Sequence, residues 1–138
     1  MRTIIAIAAL LTVVAVDAAA ACRDAAGPHV NWRKCDKSDA DLTGAVLSSA
    51  DLREGMFIRT RFVGADLTKA NLYGATLFDA DLSGVHAEDS KAVHMTLSDA
   101  TLIGAHFARA DMTAVSFLRA NAAGADLDGA SLRNAHFD

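Results

Sequence analysis

Residues 65–84 read ADLTKANLYGATLFDADLSG, four blocks of five in which alanine comes first and leucine third. The same frame runs from Ser38 to Phe137 as 20 pentapeptides without an insertion. Of the 20 leucine positions, 11 hold Leu, five Phe, one Met and three Ala, and the residue two places earlier is Ala in 14 of 20. Glycine recurs every 20 residues, at Gly44, Gly64, Gly84, Gly104 and Gly124. A repeat of five therefore lies inside a repeat of 20.

A period of five excludes both regular secondary structures as the whole architecture. An α-helix turns about 100° per residue, so leucines five apart would spread around its axis. A single long strand would place successive leucines on opposite faces. The chain must turn at every unit, with the leucine and the residue two before it pointing inward and the other three outward. Glycine at every twentieth residue suits a corner that requires a positive φ, and stacked turns about 4.8 Å apart would pair as parallel β ladders.

The motif of Ala, Asp or Asn, Leu and two variable residues resembles that of the pentapeptide-repeat family. The resemblance implies an all-β fold, a right-handed quadrilateral β-helix of about five coils, over residues 38–138. Two inward hydroxyls, those of Thr60 and Ser90, are expected to bond backbone carbonyls at a corner.

One coil departs from the motif, because Ala87 and Ala92 occupy leucine positions. Val85 and Met95 stand nearby in place of alanine and could refill the lost volume. A cavity or binding notch at this coil is the alternative, and voids in a core are costly.

Residues 1–21 do not fit the repeat and predict a signal peptide. Arg2 precedes an apolar run from Ile4 to Val16, and small residues from Ala18 to Ala21 suit a signal peptidase. The run is too short for a persistent spanning helix, so no membrane span is expected in the mature chain. The predicted location is the periplasm or the exterior, and a cytosolic chain with an apolar N-terminus is the alternative.

Residues 22–37 are predicted to form an N-terminal cap closed by a disulfide between Cys22 and Cys35. On the chain-entropy estimate such a loop stabilises by about 3 kcal/mol. Trp32 could cover the first turn, whereas a buried Lys37 is improbable, so regular coiling is expected to begin after it. Lipid attachment to Cys22 is an alternative to the disulfide. Zinc binding by the two cysteines is a less favoured alternative, because structural zinc sites need four ligands.

The charge of the coils raises a comparison with family members that protect DNA gyrase, which present an acidic rod imitating duplex DNA. Residues 38–138 hold 14 acidic and eight basic side chains, and the whole chain has a net charge of −4. A phosphate mimic needs a sustained field of one sign, and here the signs interleave. A DNA-mimicking gyrase-interacting protein is therefore the alternative function, and no nucleic-acid partner is predicted.

One outward column carries Asp66, His86, His106 and Asp126 on successive turns. Two imidazoles and two carboxylates could hold zinc or copper, so a metal-binding envelope protein is the second alternative. A line of ligands suits tetrahedral coordination poorly, and a solvated histidine face is the favoured interpretation. No metal site and no cofactor are predicted.

A second outward column holds Ile58, Phe78 and Leu118, with Met56 beside it, and predicts a contact with a protein partner. The alternative is that single apolar residues on a flat sheet are ordinary.

Leu132 and Phe137, in a last turn that nothing in the sequence covers, predict end-to-end homodimerisation, with fraying of that turn as the alternative.

No nucleophile, base and acid fall at a predictable geometry, so an enzyme is not expected. The sequence thus predicts a non-enzymatic, exported scaffold or protein-binding module of the bacterial envelope.

Overall fold

The fold is a stack of four-sided coils, seen in a computed structural model that describes residues 18–138. The predicted signal peptide lies, except for its last four residues, outside the described part of the chain. A short helix, α1, spans Ala18–Ala21. From Asn31 onward, every fifth residue forms a parallel β bridge with the residue 20 positions later, and the last bridge joins Ser116 to His136. The right-handed quadrilateral β-helix predicted from the sequence is confirmed, and it contains about five and a half coils.

Each corner is a tight turn of the same kind. At the first glycine corner, the N–H of Ala45 donates to the carbonyl of Leu42 at 3.0 Å, and Gly44 between them has a φ of 66°. The prediction that one corner in four needs a positive φ was too narrow, because fifteen non-glycine residues at the other corners adopt it as well. Five of the fifteen are Asp or Asn, which tolerate the left-handed region better than most residues.

The Asp or Asn that precedes about half of the central positions has a structural role. The Oδ1 of Asp66 accepts a hydrogen bond from the N–H of Thr68 at 2.9 Å, and the Oδ1 of Asn71 accepts one from Tyr73 at 3.2 Å. The carboxylate or amide thus satisfies a backbone donor that no neighbouring coil reaches. Further examples begin at Asn31, Asp36, Asp41, Asp51, Asp81, Asp111, Asn121 and Asp126. The density of aspartates along the chain is therefore a property of the fold.

The interior is a continuous column of apolar side chains. Ala87 and Ala92 are fully buried, and so are Val85 and Met95 beside them. The hydroxyl of Thr60 donates to the carbonyl of Lys37 at 2.8 Å, as predicted. The matching prediction for Ser90 is wrong, because its buried hydroxyl finds no hydrogen-bond partner among the described residues.

The regular coil begins earlier than the sequence predicted. Asn31 bridges Asp51 and Asp36 bridges Met56, so residues assigned to a separate cap already follow the coil register. Lys37 occupies a leucine position without losing its partners: its Nζ lies 4.0 Å from the centroid of the Trp32 ring and donates to the carbonyl of Cys22 at 2.7 Å. A lysine is tolerated here because the first coil has a neighbouring coil on one side only.

The predicted disulfide between Cys22 and Cys35 is present, with 5.4 Å between the two Cα atoms. It ties the segment after α1 to the first coil, where the Trp32 ring is 1% exposed and its Nε1–H donates to the carbonyl of Asp24 at 3.1 Å. With its sulfur in this bond, Cys22 offers no thiol for lipid attachment. The described residues include no helix with the length and hydropathy to cross a bilayer.

Candidate binding faces

The coil register sorts the outward side chains onto four faces of different chemistry. Each leucine position is flanked by one outward residue on either side, and residues 20 apart lie on the same face, about 4.8 Å from each other. Three of these faces bear on function and are named here by their character. The apolar face consists of Met56, Ile58, Thr76, Phe78, Thr96, Ser98, Ser116 and Leu118, and the same register continues with Asp36 and Ser38 at one end and with His136 and Asp138 at the other.

The apolar face carries no charged side chain between its first and last residues. Met56 is 42% exposed, Phe78 40% and Leu118 38%, while Ile58 is half-buried. The hydroxyls of Ser98 and Ser116 share a hydrogen bond of 3.0 Å. The four residues predicted to bind a partner therefore lie on one flat, uncharged surface.

The last coil presents apolar side chains that belong to the interior. Phe137 is 60% exposed, and its ring stacks on that of Phe117, with 4.8 Å between centroids and 5° between planes. Leu132 is half-buried. In the described chain, the N–H groups of Leu127, Leu132 and Phe137 have no backbone acceptor, whereas equivalent groups in earlier coils donate to the following coil.

The acidic face holds the histidine column, together with Val46, Ser48, Thr68, Glu88, Ala108 and Asp128. The rings of His86 and His106 stack in parallel, with 4.9 Å between centroids and 3° between planes. Nδ1 of His86 lies 3.5 Å from a carboxylate oxygen of Glu88. Parallel rings do not converge their nitrogens on one point, and no three His, Cys, Asp or Glu side chains in the described range could hold a metal ion. The metal-binding alternative gains no support.

The acidic face also segregates charge more strongly than the linear sequence suggested. It carries four carboxylates, those of Asp66, Glu88, Asp126 and Asp128, and neither Lys nor Arg. On the other sides of the rod the two signs stay together, in ion pairs such as Arg53 with Asp51 and Arg109 with Asp89.

The basic face contains Asn31, Arg33, Asp51, Arg53, Asn71, Tyr73, Lys91, Val93, Asp111, Thr113, Ser131 and Arg133. An open groove of about 500 Å³ crosses it. Two hydrogen bonds bind the Arg53 guanidinium to Asp51, at 2.8 and 2.6 Å, and they hold the pKa of that carboxyl below its ordinary 3.8. This face was not predicted from the sequence, although the spacing of 20 that joins Arg33, Arg53 and Tyr73 would have revealed it.

Comparison with known proteins decides the family. Residues 29–55, 47–84 and 96–134 match the family model of pentapeptide repeats, in eight copies. The chain belongs to the pentapeptide-repeat family. Among curated proteins, none matches this chain.

Two solved structures with the same fold come from a plant and a cyanobacterium. A pentapeptide-repeat protein of the Arabidopsis thaliana thylakoid lumen is 23% identical over 75% of this chain and 65% of its own, with a TM-score of 0.57. HetL, involved in heterocyst differentiation regulation in the cyanobacterium Nostoc sp. strain PCC 7120, is 26% identical over 81% of this chain and 58% of its own, with a TM-score of 0.56. The chain thus spans somewhat less than two thirds of the length of both.

Proposed function

We propose that this pentapeptide-repeat protein is an exported, non-enzymatic protein-binding module of the bacterial envelope, with the apolar face as its contact surface. The observation that carries the proposal is the exposure of Met56, Phe78 and Leu118 on one flat face without a charge. Contiguous apolar surface of this kind is typical of contacts between proteins.

The composition of the apolar face suits a protein partner. Burying it would remove no ionised group from water, which avoids the desolvation cost that opposes charged contacts. Thr76, Thr96 and Ser116 bridge one another in the ladder, and their side chains can form hydrogen bonds around the apolar residues. Because the ladder fixes the backbone, little conformational entropy is lost when a partner binds.

Export is supported by the disulfide together with the predicted signal peptide. Disulfides persist in oxidising compartments and are rare in the cytosol. The bond between Cys22 and Cys35 closes the end of the rod where the interior would otherwise meet water. The fold therefore gains stability from the compartment to which residues 1–21 are predicted to send it.

Two matched substitutions test the contact surface. Phe78→Asp places a charge on the apolar face, while Ile103→Asp places the same charge at the same repeat position on another face, where Ile103 is 48% exposed. Each tagged variant is incubated with periplasmic extract of the source organism, and retained proteins are quantified by mass spectrometry. We expect a protein that wild type and Ile103→Asp retain and Phe78→Asp loses. Equal retention by both variants would contradict the proposal.

End-to-end pairing of two copies through the last coil is proposed as a second contact. The exposed ring of Phe137 already stacks on Phe117 and can accept an apolar neighbour on its other side. Sedimentation velocity over a range of concentrations should show a dimer in wild type and a monomer in Phe137→Asp. A wild-type protein that stays monomeric at the highest concentration contradicts this contact and leaves the apolar face untouched.

Gyrase interaction is the alternative function, and the acidic face is the observation that favours it. Four carboxylates without a cation form a local negative field. However, Lys69 and Arg109 lie at the corner beside this face. Their positive charges limit the surface on which the negative field resembles that of a phosphate backbone. Inhibition of gyrase supercoiling by wild type, lost in Asp66→Asn with Asp126→Asn, would favour this function over the envelope module.

A further inference from the structure

The groove on the basic face is long enough for a chain-like ligand. It extends from Arg33 to Asp111, which is four coil spacings or roughly 19 Å. Its volume of about 500 Å³ falls in the range of small-molecule sites. Because the groove follows the axis of the rod, its lining residues repeat at the constant spacing of the coils, which suits a ligand made of repeating units.

The charges in the groove leave an excess of positive donors. Its carboxylates are already engaged within the protein: Glu54 pairs with Arg33 at 3.2 Å, Asp89 with Arg109 at 2.9 Å, and Asp111 accepts hydrogen bonds from Thr113. Arg109 holds the pKa of Asp89 below its ordinary 3.8, so this carboxyl stays ionised and paired.

Lys91 lines the same groove and has neither an ion pair nor a side-chain hydrogen bond within the described range. Arg33 uses one nitrogen on Glu54 and keeps its other donors. The groove therefore presents free cationic donors at both of its halves, since Lys91 lies three coils beyond Arg33.

Tyr73 supplies a flat ring between these cations. Its side chain is exposed, at 46%, and the ring of His94 meets it edge-on with 5.8 Å between centroids, which supports its orientation. Arg33 lies two coils before Tyr73 and Lys91 one coil after it, about 14 Å apart along the axis. An exposed aromatic face provides a broad contact for a ring with an apolar face.

From this arrangement, we propose that the basic face binds an acidic oligosaccharide, with one sugar ring on Tyr73 and the carboxylates of flanking sugars at Arg33 and Lys91. The sugar hydroxyls would meet Asn71 and the carboxylates of Glu54 and Asp111, which lie along the same groove. This inference is independent of the apolar face, which lies on an adjacent side of the rod.

Two other polymers fit the groove less well. A peptide cannot extend the sheet here, because the backbone is already paired; the N–H of Lys91, for example, donates to the carbonyl of Ala70 at 2.9 Å. A nucleic acid would place its phosphates against three carboxylates, and its affinity depends on neutralisation by an uninterrupted set of cations. Sugar hydroxyls, by contrast, can donate to those carboxylates.

The test is isothermal titration calorimetry of the mature protein with a hexamer of galacturonic acid. We expect saturable binding that weakens as salt is raised, and no binding of cellohexaose, which has similar rings without carboxylates. Tyr73→Ala and Lys91→Gln should each weaken binding about tenfold. Arg61→Gln is the matched control, because Arg61 occupies the same repeat position as Lys91 on the opposite face, and its affinity should not change.

Three results would overturn the inference. The first is an absence of binding by the acidic hexamer. The second is equal binding by a hexathymidylate, which would show general attraction of polyanions. The third is an unchanged affinity in Tyr73→Ala. Circular dichroism of each variant checks folding, and because both side chains are exposed, their melting temperatures should match that of wild type.

Discussion

The first coil, residues 30–49, and the coil of residues 65–84 share one backbone and differ in four of their eight inward side chains. In the later coil, all inward residues are alanine or leucine and at most 1% exposed. In the first coil, the inward residues include Val30, Trp32, Cys35 and Lys37. Both coils nevertheless use the same bridges and corner turns. The ladder and the turns therefore define the backbone of a coil. The inward residues depend on whether the coil is covered by another coil on both sides or on one side only.

The largest expected effect is the loss of stability when the buried aromatic residue of the first coil is truncated, compared with an exposed aromatic residue of the later coil. Trp32→Ala should lower the free energy of unfolding by about 3–5 kcal/mol, since the ring is buried against the second coil and under the N-terminal segment. Tyr73→Ala, an exposed aromatic on a later coil, should change it by about 0.5 kcal/mol or less. Urea denaturation followed by circular dichroism measures both. Equal losses would show that Trp32 does not close the first coil.

Removal of the disulfide should have the next largest effect. Replacing Cys22 and Cys35 by alanine should lower stability by about 3 kcal/mol, because the denatured chain regains the freedom of a closed loop. Reduction of wild type should produce a similar loss. The double variant is the control, since a reductant should not change its unfolding midpoint. If wild type unfolds at the same urea concentration with and without reductant, the disulfide does not stabilise the first coil.

Lys37→Leu restores the consensus residue in the first coil and should still destabilise it. The substitution removes the contact with Trp32 and the hydrogen bond to Cys22, which together are worth about 1 kcal/mol. Met112→Leu makes the same restoration inside the stack, where Met112 is fully buried, and a volume-conserving exchange should cost less than about 1.5 kcal/mol. A gain in stability for Lys37→Leu would show that the consensus rule applies equally to the first coil.

The smallest effect concerns an ion pair that the two regions share. Asp39 of the first coil pairs with Arg59 at 2.7 Å, as Asp99 pairs with Arg119 in a later coil. Hydrogen bonds from Arg59 lower the pKa of Asp39 below its ordinary 3.8. Its contribution to stability is therefore present above that value and disappears as the pH falls through the lowered pKa.

Scanning calorimetry at low salt should thus show a small deficit in melting temperature for Arg59→Gln at neutral pH. That deficit should shrink as the pH falls through the lowered pKa of Asp39, and it should vanish once the carboxyl is protonated in both the folded and the unfolded state. Arg133→Gln, which removes a cation without an ion pair in the described chain, controls for net charge. A deficit of Arg59→Gln that persists at acid pH would assign it to packing instead.

The sequence predicted the coils because their period is geometric. Leucine every five residues, with glycine every 20, leaves no other regular path for the chain. The coil was wrongly predicted to start after Lys37, because lysine is rarely buried and a lysine at an inward position was therefore not expected. This general tendency does not include the open side of an end coil, where the Lys37 amine reaches the carbonyl of Cys22. Gly55 illustrates the same limit: a Cβ there would lie 2.6 Å from the Phe57 ring, a crowding that no repeat pattern shows.

The faces were predictable to the extent that register alone decides them. A spacing of 20 placed Ile58, Phe78 and Leu118 together correctly. The stacking of His86 on His106 needed ring orientations, which the spacing does not contain. The groove beside Tyr73 depended on which charges pair with each other, and those pairs follow from side-chain rotamers on neighbouring coils.

The intact mass of the protein, recovered without reduction from fractionated cells of its source organism, tests the central claim of an exported rod closed by a disulfide. The expected species is found in the envelope fraction, lacks the predicted signal peptide, and is two hydrogens lighter than its reduced form. A full-length chain in the cytosol with both Cys22 and Cys35 as free thiols would contradict the account.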